Sequence, residues 1–347
     1  MQNQLKRSGT AKAVATFRIA CLISALMIVF SHSAYAAEPS KALELIPGGM
    51  TFGAKLTYPE VMISELAEDP ECPARLSGLA VGDGIVSVNG VKITGPAQLA
   101  ETINSAGNNA VTVEYERNGT RNTVRVVPRL TNGEWRIGIT VKNSSAGIGT
   151  VTFISENGEF GGLGHGICCK ESGKLAPLAD GHVCGVEIKG IKKGCAGTPG
   201  EIRGAFNAER NGTISANTSA GVFGLYAEAP AGTLYGKTPV ASPSELHLGS
   251  ATIISTLGND GPKEYRVEIT SVFEPRAQTE KGFAIKITDP ELIERTGGIV
   301  QGMSGSPVLQ DGKLVGAVTH VMVNDPTCGY GIFVTTMLDS MPELLRP

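Results

Sequence analysis

The stretch that most constrains this 347-residue chain is Gly297-Gly298-Ile299-Val300-Gln301-Gly302-Met303-Ser304-Gly305-Ser306-Pro307-Val308-Leu309. Tight glycine turns flank one hydroxyl, and a strand follows at once. A serine nucleophile needs this layout. Its oxygen must stand clear of bulky neighbours while backbone N–H groups converge beside it. Gly302 and Gly305 permit backbone angles and a close substrate approach that a β-carbon resists. The next apolar run, Leu314 to Thr319, reads as the second arm of a hairpin turned at Asp311-Gly312. Ser304 is therefore expected on a loop leading into a β-hairpin. The plainer reading of the same residues is a glycine-rich turn with a solvated serine, and a motif alone is only a hypothesis.

The rest of the chain agrees with a mainly β protein. It carries 45 glycines and a single tryptophan, Trp135, with many short Val, Ile and Thr runs and few helical periods. The formal charge of −3 and the absence of a basic block argue against nucleic acid as a partner. At the N-terminus, Lys6, Arg7, Lys12 and Arg18 precede an apolar run from Ile19 to Phe30, and Ala34-Tyr35-Ala36 offers a small-x-small cleavage site. Residues 1–36 are expected to be a secretory signal, the apolar run being short for a stable span; if retained, they would anchor the protein to a membrane. Six cysteines follow: Cys72, Cys168, Cys169, Cys184, Cys195 and Cys328. An exported protein permits disulfides, with pairing left open. Four of the six lie near His165 and His182 but lack the C-x2-C spacing of zinc modules, so no metal and no cofactor is expected.

Two domains are expected after the signal. Gly78-Leu79-Ala80-Val81-Gly82-Asp83-Gly84-Ile85-Val86-Ser87-Val88-Asn89-Gly90 alternates turn residues with an apolar strand. Leu99 and Ile103 mark one helical face, and two β runs flank Asn118-Gly119 as a hairpin. This order resembles a PDZ domain of the bacterial protease type, assigned to residues 43–130. The resemblance implies capture of an extended peptide as an added strand, with Phe52, Gly53 and Ala54 in the peptide-binding loop, or else a closed structural lid. Residues 131–347 form the second domain, where short strands broken by Gly and Pro indicate an antiparallel sheet or barrel. Within it, Phe160-Gly161-Gly162-Leu163-Gly164-His165-Gly166 sets a histidine on exposed, closely approached backbone, which suits a general base. The region between Gly194 and Gly221 shows no clear pattern.

A serine–histidine pair also needs a group that fixes the histidine's tautomer. Asp180, Asp260, Asp289, Asp311 and Asp325 are the candidates; Asp289 ends an apolar strand, and its competing role is to cap a helix begun by Pro290. The signal, the PDZ-like segment, Gly-Leu-Gly-His-Gly, Ile-Thr-Asp-Pro, Gly-Met-Ser-Gly-Ser-Pro and the run Thr319 to Phe333 occur together in this order. The combination resembles the stage IV sporulation protein B (SpoIVB) family of serine peptidases. The resemblance implies a trypsin-like antiparallel β-barrel with His165, Asp289 and Ser304 as catalytic residues. By analogy with trypsin-like enzymes, the N–H groups of Gly302 and Ser304 form the oxyanion hole. It further implies secretion across the forespore membrane into the intermembrane space. There the peptidase would cleave itself and a membrane-embedded regulatory protein, activating an intramembrane protease and a late sigma factor. His320 is expected to be structural or to influence specificity. Two rival readings are a catalytically silent PDZ scaffold and a cysteine-based redox or metal-binding exported protein.

Overall fold

The computed structural model describes residues 43–170, 172–228, 230, 232–274 and 281–347. The expected signal, residues 1–36, lies outside the described residues. Residues Glu44–Pro347 form one compact unit.

Twelve strands build two barrels. The first barrel uses β1 (Thr51–Leu66), β2 (Ile139–Ile154), β3 (Glu159–Gly162), β4 (Asp180–Lys192), β5 (Glu201–Thr218) and β6 (Gly221–Tyr226). Antiparallel pairing runs β1–β2–β3–β6–β5–β4 and returns to β1, so the ring is closed. The second barrel uses β7 (Gly249–Ser255), β8 (Lys263–Val272), β9 (Phe283–Ile287), β10 (Pro307–Gln310), β11 (Lys313–Met322) and β12 (Asp325–Phe333). Its order is β7–β8–β9–β12–β11–β10, also closed. Period-two patterning explains these strands. In β8, Tyr265, Val267 and Ile269 point into the core while Glu264, Arg266, Glu268 and Thr270 face solvent. Closing each ring also leaves few strand edges to attract another chain.

The expected mainly β architecture is present, but the division at residue 130 is not where the sheets separate. Glu44–Pro47 and the first half of β1 belong to the peptidase barrel, paired with β2 from Thr51↔Thr150 to Thr57↔Ser144. The two strands continue together into the PDZ-like module, where Ile63 pairs with Val141 and Leu66 with Ile139. That module adds the strands Gly84–Val88, Val111–Arg117 and Thr120–Val126 and the helix Pro96–Ser105. Ile63, Ile85, Leu99, Ile103, Val113 and Ile137 share its core. The Gly-Asp motif has a structural cause: Asp83, 1 % exposed, receives Arg117 through two 2.6 Å bonds and the Ala80 N–H at 2.8 Å.

The barrels meet through Leu45, Phe153, Phe223, Leu314, Ala317, Ile332 and Met337. Three polar bonds cross the same seam. The Thr150 N–H donates to the Ser304 carbonyl at 2.9 Å, and the hydroxyls of Thr150 and Thr152 donate to the carbonyls of Gly302 and Gly305 at 2.8 Å each. Both threonines are 0 % exposed. Thr152→Val keeps the shape and removes one bond, orphaning a buried carbonyl. It should lower unfolding free energy by about 1–2 kcal/mol in urea denaturation.

Candidate active site

Ser304 lies between β9 and β10, on a loop launched by the helix Pro290–Thr296. Gly302 and Gly305 adopt φ values of 101° and 96°. At Gly305 a β-carbon would stand 2.0 Å from the Thr150 carbonyl oxygen and 2.4 Å from the Leu163 nitrogen. No other residue fits there, so the glycine is what lets the Ser304 loop press against the first barrel. Most N–H groups of the loop are engaged. Gln301 donates to Gly200, Met303 to Val300, Gly305 to Val318 and Ser306 to Met303. Among the described residues, the N–H groups of Gly302 and Ser304 donate to no carbonyl. The Ser304 hydroxyl rests on the Thr319 carbonyl at 2.9 Å.

His165 reaches the same place from the first barrel. After β3 the chain passes through two successive left-handed residues, Leu163 (φ 67°) and Gly164 (φ 66°). A buried leucine in that conformation is strained, and such strain persists only where the surroundings enforce it. Here Leu163 donates to the Thr150 carbonyl at 3.1 Å, and Gly164 packs on Thr319, where a β-carbon would meet Cγ2 at 2.9 Å. The turn therefore delivers His165 beside β11, whose Thr319 carbonyl accepts the Ser304 hydroxyl. The rings of His165 and His320 are 5.1 Å apart, tilted by 38°. Asn217 clasps the outgoing chain, accepting from the Ile167 N–H at 2.8 Å and donating to the Ile167 and Ala176 carbonyls at 2.9 Å.

The His165 Nδ1 atom lies 2.9 Å from the Gly166 carbonyl oxygen. A carbonyl only accepts, so Nδ1 carries a proton in this arrangement. His320 is partly buried; desolvation first, then the charge of His165 and of Lys281, pushes its pKa down to about 4. It is neutral near pH 7.

Two expectations need correction. Asp289 is not brought to His165. One carboxylate oxygen accepts the N–H groups of Glu291 (3.0 Å) and Leu292 (3.2 Å), capping the helix Pro290–Thr296; the other faces Arg266. Burial works to raise its pKa, but the N–H groups of Leu292 and Arg266 and the Arg266 side chain outweigh it, and the carboxyl sits below its ordinary value. Register agrees with this placement. Ala284 pairs with Tyr330, which pairs with His320. Asp289 is five residues further along, about 16 Å away at strand rise. Nor do Phe52, Gly53 and Ala54 form a peptide-binding loop. They lie within β1, paired with β2 on one side, and Gly53 and Ala54 pair with β4 on the other, so no edge is open to a peptide. Phe52 instead backs Gly162 under the histidine turn.

Cys72, Cys169, Cys184, Cys195 and Cys328 are free thiols, the first three of them buried. Among the described residues, no cluster of His, Cys, Asp and Glu could hold a metal ion. Thr150, Thr152 and Asn217 are parts of the site that motif reading missed. The signal available was the small polar alternation Thr150-Val151-Thr152 in an otherwise apolar strand.

Two six-stranded antiparallel barrels with a glycine-rich serine loop at their junction are the framework of a trypsin-like serine endopeptidase, here carrying a PDZ module. The family model described as SpoIVB peptidase S55 matches residues 133–338, and a PDZ domain model matches residues 66–117. The chain belongs to the SpoIVB peptidase S55 family and is a serine endopeptidase. A comparison with curated proteins returned no match. Among solved structures, the chain is similar to the Rv3671c protease of M. tuberculosis in its active form (13 % identity, 56 % of this chain and 74 % of that one, TM-score 0.32). It is also similar to the HtrA-type protease AlgW with a decapeptide (10 %, 84 % and 62 %, TM-score 0.36). The PDZ domain of the SdrC-like protein from Listeria monocytogenes matches at 22 % identity over 25 % of this chain and 90 % of that one (TM-score 0.22).

Two measurements test this geometry. Asparagine caps helices as well as aspartate does. Asp289→Asn should therefore keep activity within a few-fold, whereas Asp289→Ala should lose about 1 kcal/mol of stability. A triad carboxylate would instead show a drop of about 10⁴-fold for the asparagine variant. His320 has a folded-state pKa below its unfolded value, so the unfolded chain binds the proton more readily. Stability should be complete above pH 6.5 and decline toward pH 4, the window set by its ordinary value and the value of about 4 in the fold. His320→Gln should flatten that decline in denaturant midpoints taken across the window.

Proposed function

We propose that Ser304 is the nucleophile and His165 the general base of an exported peptidase that acts in sporulation signalling. The observation that carries this reading is that two sequence segments far apart in the chain meet at one seam between the barrels. His165 arrives there with Nδ1 donating to the Gly166 carbonyl, and, among the described residues, Ser304 with two unclaimed N–H groups beside it.

In this mechanism the Ser304 hydroxyl leaves the Thr319 carbonyl and turns to His165. Ser304 Oγ attacks a peptide carbonyl while its proton passes to Nε2. The new oxyanion is met by the N–H groups of Gly302 and Ser304, each worth about 3–4 kcal/mol of barrier in comparable enzymes. The Nε2 proton then goes to the leaving amine, and water attacks the acyl-enzyme with His165 again as base. The Gly166 carbonyl holds the tautomer that a triad carboxylate would otherwise hold, and it leaves the imidazolium stabilised by a dipole rather than a full charge.

Family membership supports the cellular role. The enzyme is secreted across the forespore membrane into the intermembrane space, or stays anchored there by its N-terminal segment. It cleaves itself and a membrane-embedded regulatory protein, which releases an intramembrane protease and switches on a late sigma factor. Purified wild type should process its own N-terminal region on incubation, whereas Ser304→Ala and His165→Ala should slow processing by about 10⁴-fold or more. Identical fragment patterns in all three proteins would overturn the assignment and leave the silent-scaffold reading standing.

A further inference from the structure

An outer face of the second barrel runs away from the point where Ser304 meets His165. β10 pairs with β11 only as far as Ala317. Beyond it β11 keeps β12 on one side, and among the described residues no strand pairs with the other. The Ser304 hydroxyl rests on the Thr319 carbonyl, at the start of this free edge. A peptide whose carbonyl reaches Ser304 thus has the edge from Thr319 to Met322 open to it.

Aromatic rings and one lysine border that path. Gly329 and Gly331 turn inward, where a β-carbon would meet Ile299 and Phe283 at 2.5 and 2.3 Å, so Tyr330 between them turns outward. Its cross-strand partner is His320, whose ring lies 5.1 Å from that of His165. The Gly282 N–H donates to the Gly331 carbonyl at 2.7 Å, and the Phe273 N–H to the Gly282 carbonyl at 2.9 Å. These bonds set the exposed Phe273 ring 6.4 Å from the Tyr330 ring and bring in Lys281, whose Nζ stands 4.6 Å above the centre of Tyr330. The charge of Lys281 also reaches His320, where it helps to disfavour protonation.

The charges on this face are unequally matched. Lys286 lies opposite Glu268 in register and within the field of Asp325. Lys281 is exposed and has no carboxylate partner among the described residues; its recorded neighbour is the Tyr330 ring. A ring holds a cation in place without neutralising it. An ammonium fixed over apolar surface beside a substrate path is a receptor for a carboxylate, since hydrogen bonds between ionised groups are the stronger kind.

We propose that Lys281 determines specificity: the peptidase prefers segments with an aspartate or glutamate within about four residues of the scissile bond, the length of the free edge, on one flank only. That side chain crosses the Tyr330 and Phe273 rings to meet the Lys281 ammonium. This selection rests on Ser304 being the nucleophile.

The test incubates full-length wild type and Ser304→Ala with a randomised synthetic peptide library. Cleaved products are sequenced by mass spectrometry, and kcat/KM is measured on individual peptides. Asp or Glu should be favoured over Lys or Arg at one position flanking the cut by about five- to tenfold, the difference between one attractive and one repulsive exposed pair. The preference should shrink as salt rises. Lys281→Arg should keep it, and Lys281→Glu should invert it; faster cleavage of basic peptides is a gain that misfolding cannot mimic. Cleavage by wild type without acidic enrichment, or enrichment that Lys281→Glu leaves unmoved, would overturn this proposal alone. Wild type that cleaves no more than Ser304→Ala would overturn the peptidase assignment and this proposal with it.

Discussion

The structure depends on a buried seam where one strand of the first barrel holds the Ser304 loop of the second. Thr150 and Thr152 point the same way from β2, as alternate residues must, and their hydroxyls take the carbonyls of Gly302 and Gly305. Between those bonds the Thr150 N–H takes the Ser304 carbonyl. Three consecutive polar contacts leave the loop one conformation relative to the histidine side. With water excluded, each unmade bond would cost more than the made bond contributes, so the arrangement is specific as well as stable. The close approach is possible only because position 305 has no side chain.

Asp289, expected as a triad acid, is instead the cap of the helix Pro290–Thr296. In a triad the carboxylate selects the imidazole tautomer and steadies the cation. At His165 the first task falls to the Gly166 carbonyl one residue away. Asp289 fixes the start of the helix whose last turn leads into Gly297 and the Ser304 loop. A change there disturbs the serine through the backbone. His320, kept neutral by burial and by its neighbour, presents an uncharged face to His165.

What could be read from the sequence was what depends on adjacent residues. Glycines around Ser304 and His165, the Asp311-Gly312 turn and the alternation in Lys263–Val272 are local patterns, and the elements they imply are present. Pairing partners were not legible. Thr51–Leu66 reads equally well as a PDZ strand or a barrel strand, because both need period-two burial; only its pairing with Ile139–Ile154 decides, and that partner is far along the chain. Glu201–Thr218 escaped recognition because most of its side chains are exposed, so it lacks an apolar signal although its backbone is paired from end to end, with β4 as far as Thr213 and with β6 from Gly212 onward. Asp289 shows the same limit at the site. An aspartate before a proline has one local meaning, a helix cap, and the catalytic meaning required a spatial neighbour that sequence distance does not reveal.

The interleaving of the two modules carries an architectural consequence. β1 and β2 are antiparallel neighbours in the first barrel, and everything from Tyr58 to Asn143 hangs from their far ends, beyond the pair Thr57↔Ser144. Topologically the PDZ-like module is an insertion at the tip of a hairpin. A short turn from Thr57 to Ser144 would still close the six-stranded ring, while a cut between residues 130 and 131 would strip a strand from both halves. The peptidase is thus a complete scaffold onto which a second body has been spliced, and the splice is made of the scaffold's own strands.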